Sequence, residues 1–587
     1  DPRLGHFAES FTDYGVTSRV NPSVHHIVRW RLDKKEPQAA LSEPLQPIVF
    51  WLDRNIPQRW RGAVTEGVLE WNKAFERIGI RNALVVRQQP DDADFDTMDA
   101  QHASIRWYVG VDSGTARGPV HVDPRSGEVL DADISIGDAF ARGARRFASE
   151  DLPPMPLPGP LPVPPVVAQP WRAGLGAADY CSYADGAAFE AEFAFDLLQA
   201  RDDLEPDSPQ AIAFARAVIK DTITHEVGHT LGLKHNFRAS TTVSRAQLDD
   251  PQASEARGIS GSVMDYNPFN IALRGEPQGA LNNATIGPYD YWAIEYAYKQ
   301  LALADEAAEL GRIAARSTEP ALAYADDVDA GRGASDGIDP SVNRFDLGDD
   351  PLAYWRKRLA LSRELWDRVQ ARGARHGDDP LRERRVLLSG FRQLRDMPGL
   401  VAKYVGGMTV LRDLPGGRRN YQPVAPARQR QALDLLATGV FGDAAFRFRP
   451  EFLASAAPDF NEWERAGPLS IPAVVIGLQT QALDRLLSAG TAQRVLDLPA
   501  YLSPAERGGA ITLDEVYGKL QAAVWSELAS GRDIDLLRRN LQREHLKRLQ
   551  AALTRGAPGL PADAAALLRM HATRLQAQLR SAVARGS

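Results

Sequence analysis

Three of the chain's eleven histidines fall within eleven residues, in the stretch T-H-E-V-G-H-T-L-G-L-K-H-N-F from Thr224 to Phe237. On a helix, residues four apart share a face, so His225 and His229 point the same way and can hold one Zn²⁺ through a nitrogen each. Glu226 follows the first histidine and sits beside the metal without taking the same ligand direction. It is placed to take a proton from a zinc-bound water, whose pKa the metal lowers to about 7. Gly232 predicts a left-handed turn that ends the helix and returns His235 as a third ligand. Three protein nitrogens and one open position make a catalytic rather than a closed structural zinc site. By chance alone, H-E-x-x-H arises in about one or two chains per hundred of this length; Gly232 and His235 lower that by several hundredfold. Histidines that merely satisfy a core are the weaker alternative.

The extended pattern resembles that of the metzincin zinc metallopeptidases, H-E-x-x-H-x-x-G-x-x-H. That group also carries a methionine in a tight turn under the metal, and Ser262-Val263-Met264-Asp265-Tyr266 matches it, with Met264 29 residues after His235. The resemblance implies a structural floor at Met264 and an oxyanion-stabilising hydroxyl at Tyr266. D-P-R-L-G-H-F, S-V-M-D-Y and V-N-R-F-D-L-G-D-D-P (342–351) further look like a broad bacterial family of exported zinc metalloproteases. This implies a peptide or protein substrate and a periplasmic or extracellular location. Asn236 departs from the residue that several metzincin subfamilies place after the third histidine. By the same resemblance, the strand Val129 to Ile136 is expected at the upper rim of the cleft. There an extended peptide pairs with an exposed edge, with Leu130, Ala132 and Ile134 as substrate-binding positions. An edge covered by other segments is the alternative.

These residues need a frame. Strand signals occur at Pro47–Leu52, Ala83–Val86, Ala103–Val109, Pro119–Val122 and Val129–Ile136, with a helical pattern from Val64 to Phe75 after the first. Asp123-Pro124-Arg125-Ser126-Gly127 carries hairpin-turn chemistry between the last two strands. Ser208 and Pro209 are an N-cap and a first-turn proline, which start the helix that runs into the motif. Half of residues 153–170 are proline, which predicts an extended surface loop.

Beyond Tyr289, long Ala/Leu/Arg/Glu-rich segments, among them Pro351–Arg372, Ala427–Thr438, Leu513–Leu528 and Asp533–Thr554, predict helices. The fold expected is α+β: a metzincin-like module with a mixed twisted sheet and an active-site helix, then a mainly α-helical C-terminal domain. Its expected divisions are an N-terminal extension (1–40), the peptidase domain (41–289, with a proline-rich insertion near 151–207), a linker (290–350, acidic and Gly-rich from Ala325 to Asp350), and helices (351–587).

The bulk composition fits this reading. With 587 residues, 44% hydrophobic and 25% charged, the chain can bury sizeable cores. A net charge of −7 argues against a nucleic-acid partner, and no apolar run approaches the roughly 20 residues a membrane span needs. A single cysteine, Cys181, excludes an intrachain disulfide or a thiolate zinc cluster and reads as a small, partly buried side chain rather than a nucleophile or metal ligand. The opening D-P-R-L-G-H-F lacks Met and reads as a processed or trimmed start. The acidic runs Asp91–Asp96 and Asp326, Asp327, Asp329 could bind Ca²⁺, but neither matches an EF-hand loop, and a solvated loop is the simpler reading. His121 could reach the site from its strand, although a lone strand histidine is more often satisfied locally. A zinc hydrolase of a non-peptide bond and a latent zinc-binding protein remain as alternatives to the endopeptidase.

Overall fold

A computed structural model describes residues 1–584 except 16, 19, 109–119, 138–182, 205–207, 332–336, 415–416, 443, 462–466 and 557–558. Cys181 and the proline-rich stretch 153–170 lie outside the described residues.

Two N-terminal strands, β1 (Ala8–Thr12) and β2 (Ser23–Ile27), form an antiparallel pair. The central sheet has five strands: β3 (Ile48–Leu52), β4 (Leu84–Gln88), β5 (Ser104–Tyr108), β6 (Val120–Val122) and β7 (Val129–Gly137). Their order is β4-β3-β5-β7-β6, all parallel except β6, which runs antiparallel to β7. Such a mixed sheet was expected, and its parallel strands are apolar because both faces are covered: Phe50, Ile105, Ile134 and Ile136 are all fully buried.

The helical pattern after β3 is realised as two helices, α1 (Gln58–Leu69) and α2 (Asn72–Arg77). Between them the bonding tightens to i→i−3, with Lys73 N–H donating to Glu70 O and Ala74 N–H to Trp71 O. Helix α3 (Tyr183–Ala200) precedes α4 (Pro209–Thr230), which carries the histidine motif. Ser208 Oγ accepts from Ala211 N–H and Pro209 occupies the first turn of α4, as its sequence predicts.

Helix α4 packs on α1 at a close crossing. A Cβ on Gly67 would lie 2.8 Å from Ile223, and Thr224 Oγ1 donates to Gly67 O. Downstream lie α5 (Pro288–Tyr298), the short α6 (Asp327–Ala330), α7 (Pro351–Arg372) and α8 (Arg382–Arg392). Further helices include Leu513–Val524 and Leu536–Ala551, within segments expected to be helical. The buried apolar core is continuous from Leu4 to Leu575. No helix among the described residues is long and apolar enough to cross a membrane.

Candidate metal centre

His225, Glu226 and His229 lie on the last two turns of α4. The helix then ends as the glycine predicts: Gly232 takes φ +93°, Gly232 N–H donates to His229 O and Leu233 N–H to Gly228 O. A side chain at 232 is excluded twice, by this φ and by Val28 O, 1.9 Å from where its Cβ would sit. The N-terminal segment clamps the same turn, since Lys234 N–H donates to Gly5 O and Phe7 N–H to Gly232 O. The chain thereby returns His235 to the face of His225 and His229.

The ligand atoms of the three histidines lie within 4.8 Å of one another, and no other His/Cys/Asp/Glu cluster among the described residues has metal-ligand geometry. Each Nδ1 is occupied. His225 Nδ1–H donates to Val263 O (2.7 Å), His229 Nδ1–H donates to Leu233 O (2.9 Å), and His235 Nδ1 faces Asp327 Oδ2 (2.8 Å). A carbonyl oxygen only accepts, so the first two rings carry their proton on Nδ1 and leave Nε2 as a lone pair. Burial, then the neighbouring imidazoles, pulls His225 well below the ordinary histidine value and His229 down to about 3, so both rings are neutral.

His229 Nε2 nevertheless lies 3.1 Å from His235 Nε2. A proton or a cation held between the two nitrogens accounts for so close an approach. Tetrahedral zinc at 2.0–2.1 Å places its ligand nitrogens about 3.3–3.4 Å apart. The three residues therefore fit the metal.

Met264 is fully buried beneath α4, and its Sδ would lie 2.2 Å from a Cβ on Gly228, with Trp71 Cζ2 at 2.8 Å. The Val-Gly pair inside the motif is thus shaped by what lies under it. The turn around Met264 is held by Asp290 of α5, which accepts from Ser262 Oγ, Val263 N–H and Gly287 N–H. Burial holds the Asp290 carboxyl up at about 6 despite these donors. The Met264 carbonyl in turn accepts from Asn236 N–H, which ties the methionine turn to the residue after the third histidine. Tyr266 is buried, with its ring 4.8 Å from that of His235 and 5.7 Å from that of His225. Glu226 is fully buried beside His225.

Two partners of the cluster went unseen in the sequence. Asp327 was read there as part of a solvated or calcium-binding run. It instead faces His235 and pairs with Arg344, while Asp326 pairs with Lys234 and Arg412, and Asp329 with Arg412. Burial alone would push the Asp327 carboxyl up. The hydrogen bond and charge of His235, with Arg344, outweigh it and hold the group far below the usual carboxylate range. The stretch expected as a boundary therefore closes the site: Phe237 N–H donates to Ala325 O, and Phe345 N–H to Tyr266 O. The second partner is Tyr183 of α3, whose ring stacks on His225 and whose hydroxyl donates to Asp221 (3.3 Å).

The expected edge strand needs correction. β7 lies between β5 and β6, so β6 takes the outer position of the sheet. Ala132 pairs with Val120 and is fully buried, as is Ile134, whereas Leu130 is exposed. Two strand signals flanking the 123–127 turn foretell a hairpin, but which arm lies outside is decided by the partner β5 selects. His121 is exposed on β6 and takes no part in the histidine cluster.

A model of the Met-zincin family matches residues 207–531, more than half of the chain, which therefore belongs to that family. Neither the curated proteins nor the solved structures provided a match. The family and the three-histidine cluster together point to zinc and to metallopeptidase chemistry.

Proposed function

We propose that this chain is a zinc-dependent endopeptidase. The observation that carries the proposal is the convergence of the three imidazoles, with His229 and His235 Nε2 3.1 Å apart and each ring fixed from behind, and with Glu226 buried beside His225. His225, His229 and His235 are the ligands, holding one ion. When bound, zinc supplies a Lewis acid and acidifies a water to about neutral pH.

The chain's own groups account for the remaining chemistry. The Glu226 carboxylate takes a proton from the attacking water and returns it to the leaving amine. The Tyr266 hydroxyl donates to the developing oxyanion, a contribution of about 3–4 kcal/mol by comparison with other oxyanion donors. Met264 takes no chemical part and supports the ligands from below. An extended peptide pairs with the main chain of the outer strand β6, which gives affinity with little sequence selectivity. Action on exported or extracellular proteins follows from the bacterial family that the sequence resembles.

A second reading, a latent form of the same enzyme, rests on the burial of Glu226 and on Tyr183 packed over His225. One experiment separates the two. A quenched-fluorescent peptide library is offered to the parent and to Glu226→Ala, with zinc measured on both. A zinc-loaded parent that cleaves, and a zinc-loaded variant that does not, support the endopeptidase. Zinc without cleavage in the parent favours the latent form, and a parent without zinc ends the proposal.

A further inference from the structure

Phe345 takes φ +58°, in the left-handed region. Among the described residues, the other non-glycine residues with positive φ are Asn82 and Asp202. Their short polar side chains tolerate that region, whereas a bulky phenylalanine is strained there. Strain of this kind persists only where the surroundings fix it, and it gathers at functional sites. Glycine would make the same turn without strain, so the ring at 345 needs a reason of its own.

The residues on either side pin the backbone. Arg344 pairs with Asp327 behind His235. Asp346 is fully buried and accepts from Ser240 Oγ (2.8 Å) and Asn343 Nδ2 (2.8 Å). Ser240 N–H donates in turn to Asp265 of the methionine turn (2.7 Å). Between these anchors, Phe345 N–H donates to Tyr266 O, and its ring lies against that of Tyr266 with centroids 5.5 Å apart.

Helix α3 meets the far end of the ring. A Cβ on Gly186 would lie 1.9 Å from Phe345 Cζ, so glycine is what lets the helix come this close. The ring is half-buried and borders a cavity of about 80 Å³, which gives it room to shift when either support changes.

We infer that Phe345 is a positioning residue for Tyr266: its strained backbone and its ring, seated on Gly186, hold the tyrosine where the hydroxyl serves the reaction. Three successive residues then each hold one part of the site: Arg344 the carboxylate behind His235, Phe345 the tyrosine, and Asp346 the methionine turn. The effect on rate rests on the peptidase reading, and the placement of Tyr266 does not.

Phe345→Gly relieves the φ and removes the ring, whereas Gly186→Ala leaves Phe345 in place and drives a methyl into it. Each is expected to keep its zinc, to hold KM within about twofold and to lose kcat about tenfold or more, as displaced catalytic groups do. In a Tyr266→Phe background the same changes should cost at most about twofold, because no hydroxyl is left to position. Nitration of Tyr266 by tetranitromethane, located by mass spectrometry, should rise several-fold in both variants over the parent, where Tyr266 is 1% exposed. Phe345→Gly should also melt above Phe345→Ala, since alanine keeps the strain and glycine does not. If Phe345→Gly does not fold, Gly186→Ala decides. A parent that cleaves no peptide ends the peptidase reading, and nitration and the melts then decide the placement of Tyr266. Full kcat in the folded variants, equal losses with and without the Tyr266 hydroxyl, unchanged nitration, or a Phe345→Ala that melts above Phe345→Gly overturns the inference.

Discussion

The ring of Tyr183 lies on the imidazole of His225 with centroids 4.4 Å apart and planes 24° from parallel, while its hydroxyl donates to Asp221, one helical turn before that histidine. The first residue of α3 therefore braces a metal ligand and the helix that carries it. Removing the side chain should be expensive in stability. Tyr183→Ala is expected to cost about 3–5 kcal/mol, as for other buried aromatics. Tyr183→Phe, which keeps the stack and loses one hydrogen bond, should cost about 1 kcal/mol. Urea melts of both variants measure this; equal losses would show that the ring contact contributes nothing.

Asp327 should matter to the metal although it cannot reach it. Its carboxylate fixes the orientation of His235 and is itself held by Arg344. Asp327→Asn is expected to weaken zinc binding about 10–100-fold, in line with partners behind other metal-bound histidines. Chelator competition is the measurement, with Glu226→Gln as a control that should keep parental affinity. Unchanged affinity in Asp327→Asn would remove Asp327 from the site.

Two glycines in helices make a matched test of packing. Gly311, in the helix Glu306–Ala314, has open space where a Cβ would be, so Gly311→Ala should stabilise the protein by up to about 1 kcal/mol. Gly228→Ala gains the same propensity but drives a methyl into Met264 Sδ and the rigid Trp71 ring, and overpacking of about 1–3 kcal/mol should outweigh it. Thermal melts should therefore move in opposite directions. A stabilised Gly228→Ala would mean that the floor under α4 is loose.

Asp221 gives a pH signature. Burial raises its carboxyl to about 7 even though Tyr183 donates to it. The folded group thus keeps its proton up to about pH 7, whereas the unfolded one loses it near 3.9. Between these values the folded state binds the extra proton, so the stability this group adds is complete below about pH 4 and is lost as pH rises through 7. The parent's stability relative to Asp221→Asn should accordingly fall from pH 4 to pH 7, by up to about 1.4 kcal/mol per pH unit. A flat difference across that range would refute the assignment.

What could be foretold and what could not divides along a physical line. Met264 was expected only through the resemblance to the metzincins, whereas His225, His229 and Gly232 were legible because ligand spacing, helix periodicity and glycine's tolerance of positive φ are local rules. The five strands of the sheet were legible for the same reason. Asp327, Tyr183 and Asp290 were not, because each is brought to the site by packing over distances in sequence that no local rule reaches. Asp326, Asp327 and Asp329 looked like a solvated run since the sequence does not display Lys234, Arg344 and Arg412 beside them. The edge position failed similarly, since the choice between β6 and β7 belongs to β5.

The clamping of the Gly232 turn by Gly5 and Phe7, and of His235 by Asp327 and Arg344, bears on when during synthesis the histidine cluster takes shape. A ribosome that adds about 5–20 residues per second exposes His235 several seconds before Asp327 emerges. During that interval the growing chain carries all three imidazoles but lacks the carboxylate that orients the third. The third imidazole is therefore oriented only once Asp327 and Arg344 have been made, more than halfway along the chain, well after all three histidines are present.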